Sequence, residues 1–208
     1  MSDDDRLGIK VTLIGESSVG KTCIINYYCK ENPDLEVDAT LGANYSQKKI
    51  ERNGVKIRLD LWDTAGQEKY RAIGRHFYKE SYIVCLVYDI TSRESFENLK
   101  EIWYPELMEY GENLKIIALV GNKVDLYLDE KVKEEEGRKF AKEINAVFKR
   151  TSALNGTEIN ELFDELVDKY LSEIKGDISK EENAKNKKDN IMIKNENNNE
   201  KKKKKKFC

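Results

Sequence analysis

Gly15-Glu16-Ser17-Ser18-Val19-Gly20-Lys21-Thr22 decides how this 208-residue chain is read. The octapeptide follows an apolar stretch, Leu7 to Ile14, that reads as a buried strand, and it opens a segment of helical character, Gly20 to Cys29. A glycine, four variable residues, then Gly-Lys-Thr between a strand and a helix is the pattern of a phosphate-binding loop. The glycines let successive backbone N–H groups turn inward and form an anion nest. The helix N-terminus adds the positive end of its dipole. Lys21 supplies a mobile charge for the outer phosphates, and the Thr22 hydroxyl is a hard oxygen ligand suited to Mg²⁺. The expected phosphate contacts are Ser17, Ser18, Val19, Gly20, Lys21, Thr22 and Cys23. This motif does not choose between ATP and GTP.

Outward from the loop, the chain alternates strands and helices. Val55, Ile57, Leu59 and Leu61 interleave with Lys56, Arg58 and Asp60, the period of a strand with unlike faces. Asn44 to Arg52 is a weaker strand, and Asn53-Gly54 between the two is a hairpin signal, so this pair is expected to be antiparallel. Ile83 to Tyr88 and Ile116 to Val120 are continuous apolar runs, as in strands covered on both faces. Thr91 with Glu94 forms a capping-box signature ahead of a helix reaching about Tyr110. A charged helix is expected near Lys131 to Asn145, then a short strand, Ala146 to Lys149. Ile159, Leu162, Phe163, Leu166, Val167, Tyr170, Leu171 and Ile174 keep helical spacing on one face, a core stripe. The sum is an α/β fold with a mostly parallel sheet and one antiparallel hairpin.

Two further motifs fall at strand ends, where ligands of open α/β sheets bind. Asn122-Lys123-Val124-Asp125 follows the strand ending near Gly121. A carboxylate there accepts from guanine N1–H and its exocyclic amine, whereas adenine would leave it unpaired. Thr151-Ser152-Ala153 follows the last strand and offers a backbone N–H to the guanine carbonyl. The expected base contacts are Asn122, Lys123, Asp125, Ser152 and Ala153. Asp63-Thr64-Ala65-Gly66-Gln67-Glu68 lies just past the second hairpin strand. There Asp63 holds Mg²⁺ through water, Gly66 brings its N–H to the γ-phosphate, and Gln67 orients the attacking water.

In this order, G-E-S-S-V-G-K-T, Thr40-Leu41-Gly42, W-D-T-A-G-Q-E, N-K-V-D and T-S-A resemble the Ras-like small GTPases, and among them the Rab family. The resemblance covers about residues 7–174. It implies a P-loop G domain over residues 1–175: a three-layer α/β/α fold on a six-stranded, mostly parallel sheet carrying one antiparallel strand. It also implies a GTP/GDP-cycling switch that hydrolyses GTP slowly and recruits effectors while GTP is bound, in vesicular membrane traffic. Thr40 becomes the switch residue whose hydroxyl reaches Mg²⁺ only while the γ-phosphate is present, so that both switch segments are released on hydrolysis. Tyr45, Trp62 and Phe77 occupy the places of the aromatic cluster that Rab proteins present to effectors. The implied partners are an exchange factor, an activating protein, a GDP dissociation inhibitor or escort protein, and effectors, around a monomeric switch.

Three positions depart from the family pattern. Pro33 stands where most relatives stack an aromatic ring on guanine, and Arg150 and Leu154 stand where the family has Glu and Lys around T-S-A. A non-cycling scaffold with weak nucleotide binding is the competing reading these departures motivate. A Ras or Rho signalling GTPase is the nearest rival within the class. His76 lies beside the second switch segment and is assigned no role beyond surface or packing, because Gln67 already fills the water-positioning place.

Charge divides the chain. Of 37 basic and 39 acidic residues in all, Asp177 to Cys208 holds 11 and 6, leaving 26 and 33 for the rest. An acidic globule argues against a nucleic-acid binder, whose footprint is a basic face. Residues 176–208 are expected to be a disordered, polybasic tail, too poor in apolar residues to offset the entropy of ordering. Lys201 to Lys206 and the last residue, Cys208, suit an anionic, cytosolic membrane face, with Cys208 the expected site of geranylgeranylation. Cys23, Cys29 and Cys85 are expected to be reduced thiols of a cytoplasmic protein. Met1 to Arg6 is acidic and has no apolar signal region.

Overall fold

The computed structural model describes residues 6–31, 40, 42–66 and 77–176. Six strands make one sheet: β1 (Leu7–Ile14), β2 (Ala43–Arg52), β3 (Val55–Thr64), β4 (Ile83–Asp89), β5 (Ile116–Asn122) and β6 (Val147–Thr151). Their order is β2-β3-β1-β4-β5-β6. All neighbours run parallel except β2 and β3. Asn53 and Gly54 close that hairpin with φ of 54° and 76°, the left-handed backbone that a two-residue turn between twisted strands requires. The expected fold class is therefore the observed one.

Helix α1 spans Lys21–Lys30. Helix α2 runs from Arg93 to Tyr110 in three pieces, with a π segment at Leu99–Trp103 between α-helical ends. A 3₁₀ segment covers Val124–Asp129, α3 covers Glu134–Glu143, and α4 covers 159–176. By its contacts the chain divides after Lys169; beyond that point residues 170–176 are helical. Among the described residues no helix is long and apolar enough to cross a membrane.

Every residue of β4 is buried, which explains its unbroken apolar run. Alternation along the strand sends Val84, Leu86 and Tyr88 into one cluster with Phe96, Leu99 and Trp103 of α2 and Phe140 of α3. Apart from that cluster, α1 meets α4 where Tyr28 stacks on Phe163 with ring centroids 3.9 Å apart. The α4 stripe Ile159, Leu162, Phe163, Leu166 and Val167 is buried, as its spacing implied.

The local endings differ from expectation. The cap of α2 is Ser92, whose hydroxyl accepts from Ser95 N–H at 3.2 Å. Thr91 is not the cap, because Asp89 Oδ1 takes both its N–H and its hydroxyl at 2.8 Å. Within α2, Tyr104 N–H reaches back five residues to Leu99 O. The following Pro105 has no N–H and would crowd the carbonyl four residues before it in a regular α-turn, so the wider turn takes up the misfit. Helix α3 begins at Glu134, later than expected, behind the 3₁₀ segment. Strand β6 extends through Arg150 and Thr151, which carries both residues to the sheet's carboxyl edge.

Candidate nucleotide site

The phosphate loop leaves β1 and turns into α1 through Gly20, whose φ of 95° few side chains tolerate. A Cβ there would lie 2.3 Å from Asn122 Nδ2. That amide donates to Val19 O at 2.9 Å, and Asn122 Oδ1 accepts from the Thr151 hydroxyl at 3.1 Å. Asn122 is buried and ties the ends of β5 and β6 to the loop. Lys21 lies back along the loop, donating to Gly15 O at 2.9 Å and Glu16 O at 2.7 Å. Burial pushes its ammonium down to about 8, against the pull of the Asp63 and Glu16 carboxylates. Trp103 Nε1 on α2 donates to Glu16 Oε1 at 3.0 Å, a hold on the loop that the sequence did not advertise.

Three of the expected metal-associated residues meet. Thr22 Oγ1 donates to Asp63 Oδ2 at 2.6 Å, Thr40 Oγ1 donates to the same oxygen at 3.0 Å, and the two hydroxyls are 3.1 Å apart. Burial raises the Asp63 carboxyl, opposed in turn by the Thr22 bond, the Lys21 charge and the Thr40 bond. Asp63 Oδ1 is buried and has no hydrogen-bond partner among the described residues. A buried carboxylate with one orphaned oxygen, beside two hydroxyls, is a hard-oxygen donor set of the kind Mg²⁺ takes. Ala65 N–H donates to Gly42 O at 2.8 Å, which brings the segment after Thr40 alongside the Asp63 segment. Gly66 presses on the phosphate loop: a Cβ there would lie 2.3 Å from Glu16 C and Ser17 N. Gln67, His76, Leu41 and Pro33 fall outside the described residues, as does Cys208.

At the base end, the Ser152 hydroxyl donates to Asp125 Oδ1 and accepts from Leu154 N–H at 3.2 Å. Ser152 N–H donates to Thr157 O at 3.1 Å, so its own amide is engaged within the turn. Ala153 is buried beside it. Lys123 has a φ of 68° and pairs with Asp89 Oδ2 at 2.7 Å, which holds its stem at the β4–β5 edge. Leu154 is 46% exposed. Away from this pocket, Tyr45 and Trp62 face each other across β2 and β3 with centroids 5.2 Å apart, and Phe77 adjoins Trp62 at 5.1 Å. Tyr45 is half exposed, so the three rings form an accessible aromatic cluster.

Comparison with known proteins agrees with this geometry. Residues 10–172 match the model of the Ras family. The chain is 38% identical over 159 residues to mouse Ras-related protein Rab-26, covering 76% of this chain and 60% of the relative. It is 38% identical over 166 residues to RABC2b of Arabidopsis thaliana, covering 79% and 80%. With human Rab-30 it shares 37% over 173 residues, covering 83% and 84%. The chain thus spans about three fifths of Rab-26 and most of the other two. On the family match, the motif geometry and these relatives together, the chain belongs to the Ras family, in its Rab branch.

Proposed function

We propose that the chain is a Rab-type switch that binds GDP and GTP with Mg²⁺, hydrolyses GTP slowly, and recruits effectors in its GTP-bound form during vesicular membrane traffic. The observation that carries this reading is the meeting of Thr22, Thr40 and Asp63 beside Lys21. Residues from the phosphate loop and from two separate segments converge there on one buried carboxylate. Thr22 and Thr40 would hold the Mg²⁺ directly and Asp63 through water. Bound there, the ion neutralises charge on the β- and γ-phosphates.

The remaining work belongs to the chain. Backbone N–H groups from Ser17 to Cys23 cradle the phosphates at the start of α1. Lys21, which rests on the Gly15 and Glu16 carbonyls, turns to the β- and γ-phosphates. Gly66, already against the loop, offers its N–H to the γ-phosphate. Gln67 orients the attacking water. Asp125 accepts from guanine N1–H and the exocyclic amine, Ala153 N–H meets the guanine carbonyl, and Lys123 and Ser152 hold the pocket's walls. Asn122 acts through its bonds to Val19 and Thr151, fixing the base pocket to the phosphate loop.

Loss of the γ-phosphate would remove the ligand contacts of Thr40 and Gly66, and effectors that grip Tyr45, Trp62 and Phe77 would sense the change. Residues 176–208, with Cys208 prenylated, would tether the switch to a cytosolic membrane face. An exchange factor, an activating protein and a GDP dissociation inhibitor or escort protein would govern the cycle. Single-turnover hydrolysis of preloaded GTP tests the core of this reading: the chain should turn over at about 10⁻⁴ to 10⁻³ s⁻¹, and Gln67→Leu should slow it. An unchanged rate in Gln67→Leu removes that residue from its role.

A further inference from the structure

Arg150 is joined by hydrogen bonds to elements on both sides of the base pocket. Its Nη2 donates to Glu130 Oε1 at 2.6 Å and its Nη1 to Glu134 Oε2 at 3.2 Å. Its backbone N–H donates to Glu158 Oε2 at 3.2 Å. Glu130 ends the 3₁₀ segment that carries Asp125, while Arg150 precedes Thr151-Ser152-Ala153 directly. The β5–β6 ladder holds these two turns in register only as far as Asn122 opposite Thr151. Beyond it, the Ser152 hydroxyl on Asp125 and the Arg150 fork link them among the described residues. Glu134 is itself anchored by Arg138 within α3. A planar guanidinium that grips two carboxylates fixes direction as well as distance, which a flexible ammonium does not.

We propose that Arg150 is a positioning residue for the guanine base: through Glu130 and Glu134 it sets the spacing between the Asp125 turn and the Ser152–Ala153 turn. It thereby sets how long nucleotide stays bound and how sharply guanine is preferred. This rests on the reading of the pocket as a guanine-nucleotide site. Leu154, in the Ser152–Ala153 turn, is exposed and offers no cation, so among the described residues Arg150 is the positive group beside that turn. With side-chain exposures of 23% for Arg150, 13% for Glu130 and 41% for Glu134, the network is within reach of salt.

The test compares the full chain with Arg150→Met, Arg150→Lys and the charge exchange Glu130→Arg/Arg150→Glu. Release of a fluorescent GDP analogue, GDP-against-IDP selectivity and salt dependence are measured in each. Arg150→Met should release GDP about fivefold faster, the factor of one partly exposed ion pair. It should also discriminate less against IDP, which lacks the exocyclic amine, and should lose the acceleration by salt that the partly exposed network predicts for the wild type. Arg150→Lys should recover part of the lifetime, and the charge exchange less of it, because its new carboxylate faces Glu134. Arg93→Met removes an ion pair to Glu136 of similar geometry away from the base, and should leave release and selectivity alone.

Wild-type release and selectivity in Arg150→Met overturn the proposal, as does an equal change in Arg93→Met, which would mark general loosening. Hydrogen exchange on nucleotide-free protein separates this inference from the reading beneath it. Amides 152–156 should exchange faster in Arg150→Met whether or not guanine is the ligand, and unchanged exchange there overturns the strut. Failure of the wild type to retain GDP would instead overturn the nucleotide assignment alone.

Discussion

Asn122→Ala removes a side chain that is 1% exposed and hydrogen-bonded at both ends. Two bonds go: Nδ2 to Val19 O at 2.9 Å, and the Thr151 hydroxyl to Oδ1 at 3.1 Å. Each is worth about 1 kcal/mol net, and a buried group left without a partner costs ~1–3 kcal/mol more. Water entering the vacated space would recover part of that, so the loss should fall near 2–4 kcal/mol. For a domain of this length that is a fall in melting temperature on the order of 10 °C. Val19 belongs to the phosphate loop, so part of the loss should appear as nucleotide affinity, about tenfold or more in the Kd for GDP. Thermal unfolding with and without GDP, together with titration calorimetry, separates the two shares. Thr151→Val keeps the shape and removes only one bond, and should lose roughly half as much. A melting temperature and Kd both at wild-type values in Asn122→Ala would refute the tie between base pocket and phosphate loop.

Gly66→Ala places a methyl 2.3 Å from loop backbone, so the Kd for GTP should rise at least about tenfold relative to GDP; equal affinities for the two would contradict the contact. Arg93 holds the Glu136 carboxyl down at about 2 from its ordinary 4.5. Because the folded-state value is the lower one, that stabilisation is complete above about pH 4.5 and fades as pH falls toward 2. Melting temperatures at pH 6 and pH 3.5 should therefore differ more in the wild type than in Arg93→Met. Phe163→Ala removes the ring stacked on Tyr28 and should cost about 3–5 kcal/mol in denaturant unfolding, and a loss under ~1 kcal/mol would mean the α1–α4 contact carries little.

Much of the fold was legible because burial on both faces leaves a plain trace. The β4 and β5 runs are apolar without interruption, and the Asn53-Gly54 pair announces its own turn. The phosphate-loop, Asp63 and base-turn motifs were visible in the sequence because the proposed ligands each demand particular donors and acceptors, and the structure brings Thr22, Thr40 and Asp63 together. What escaped depends on partners that are distant in sequence. Thr91 and Ser92 are equally good caps until Asp89 captures the first. The π segment in α2 follows from Pro105 inside an otherwise regular helical pattern, which marks a misfit without saying how it is relieved. Arg150 reads as a departure from a motif until Glu130 and Glu134 are brought to it across 20 and 16 residues. The hold of Trp103 on Glu16 spans 87 residues and has no local signature.

The central claim is that one pocket combines a phosphate nest with a carboxylate that reads guanine. Calorimetric titration of nucleotide-stripped chain with GDP, ADP and XDP in the presence of Mg²⁺ tests it most directly, using the wild type and Asp125→Asn. The wild type should bind GDP at micromolar Kd or tighter and leave ADP unbound. The variant, which offers an amide in place of a carboxylate, should lose GDP and gain XDP. Equal binding of ADP and GDP, or a variant whose preference is unmoved, would contradict it.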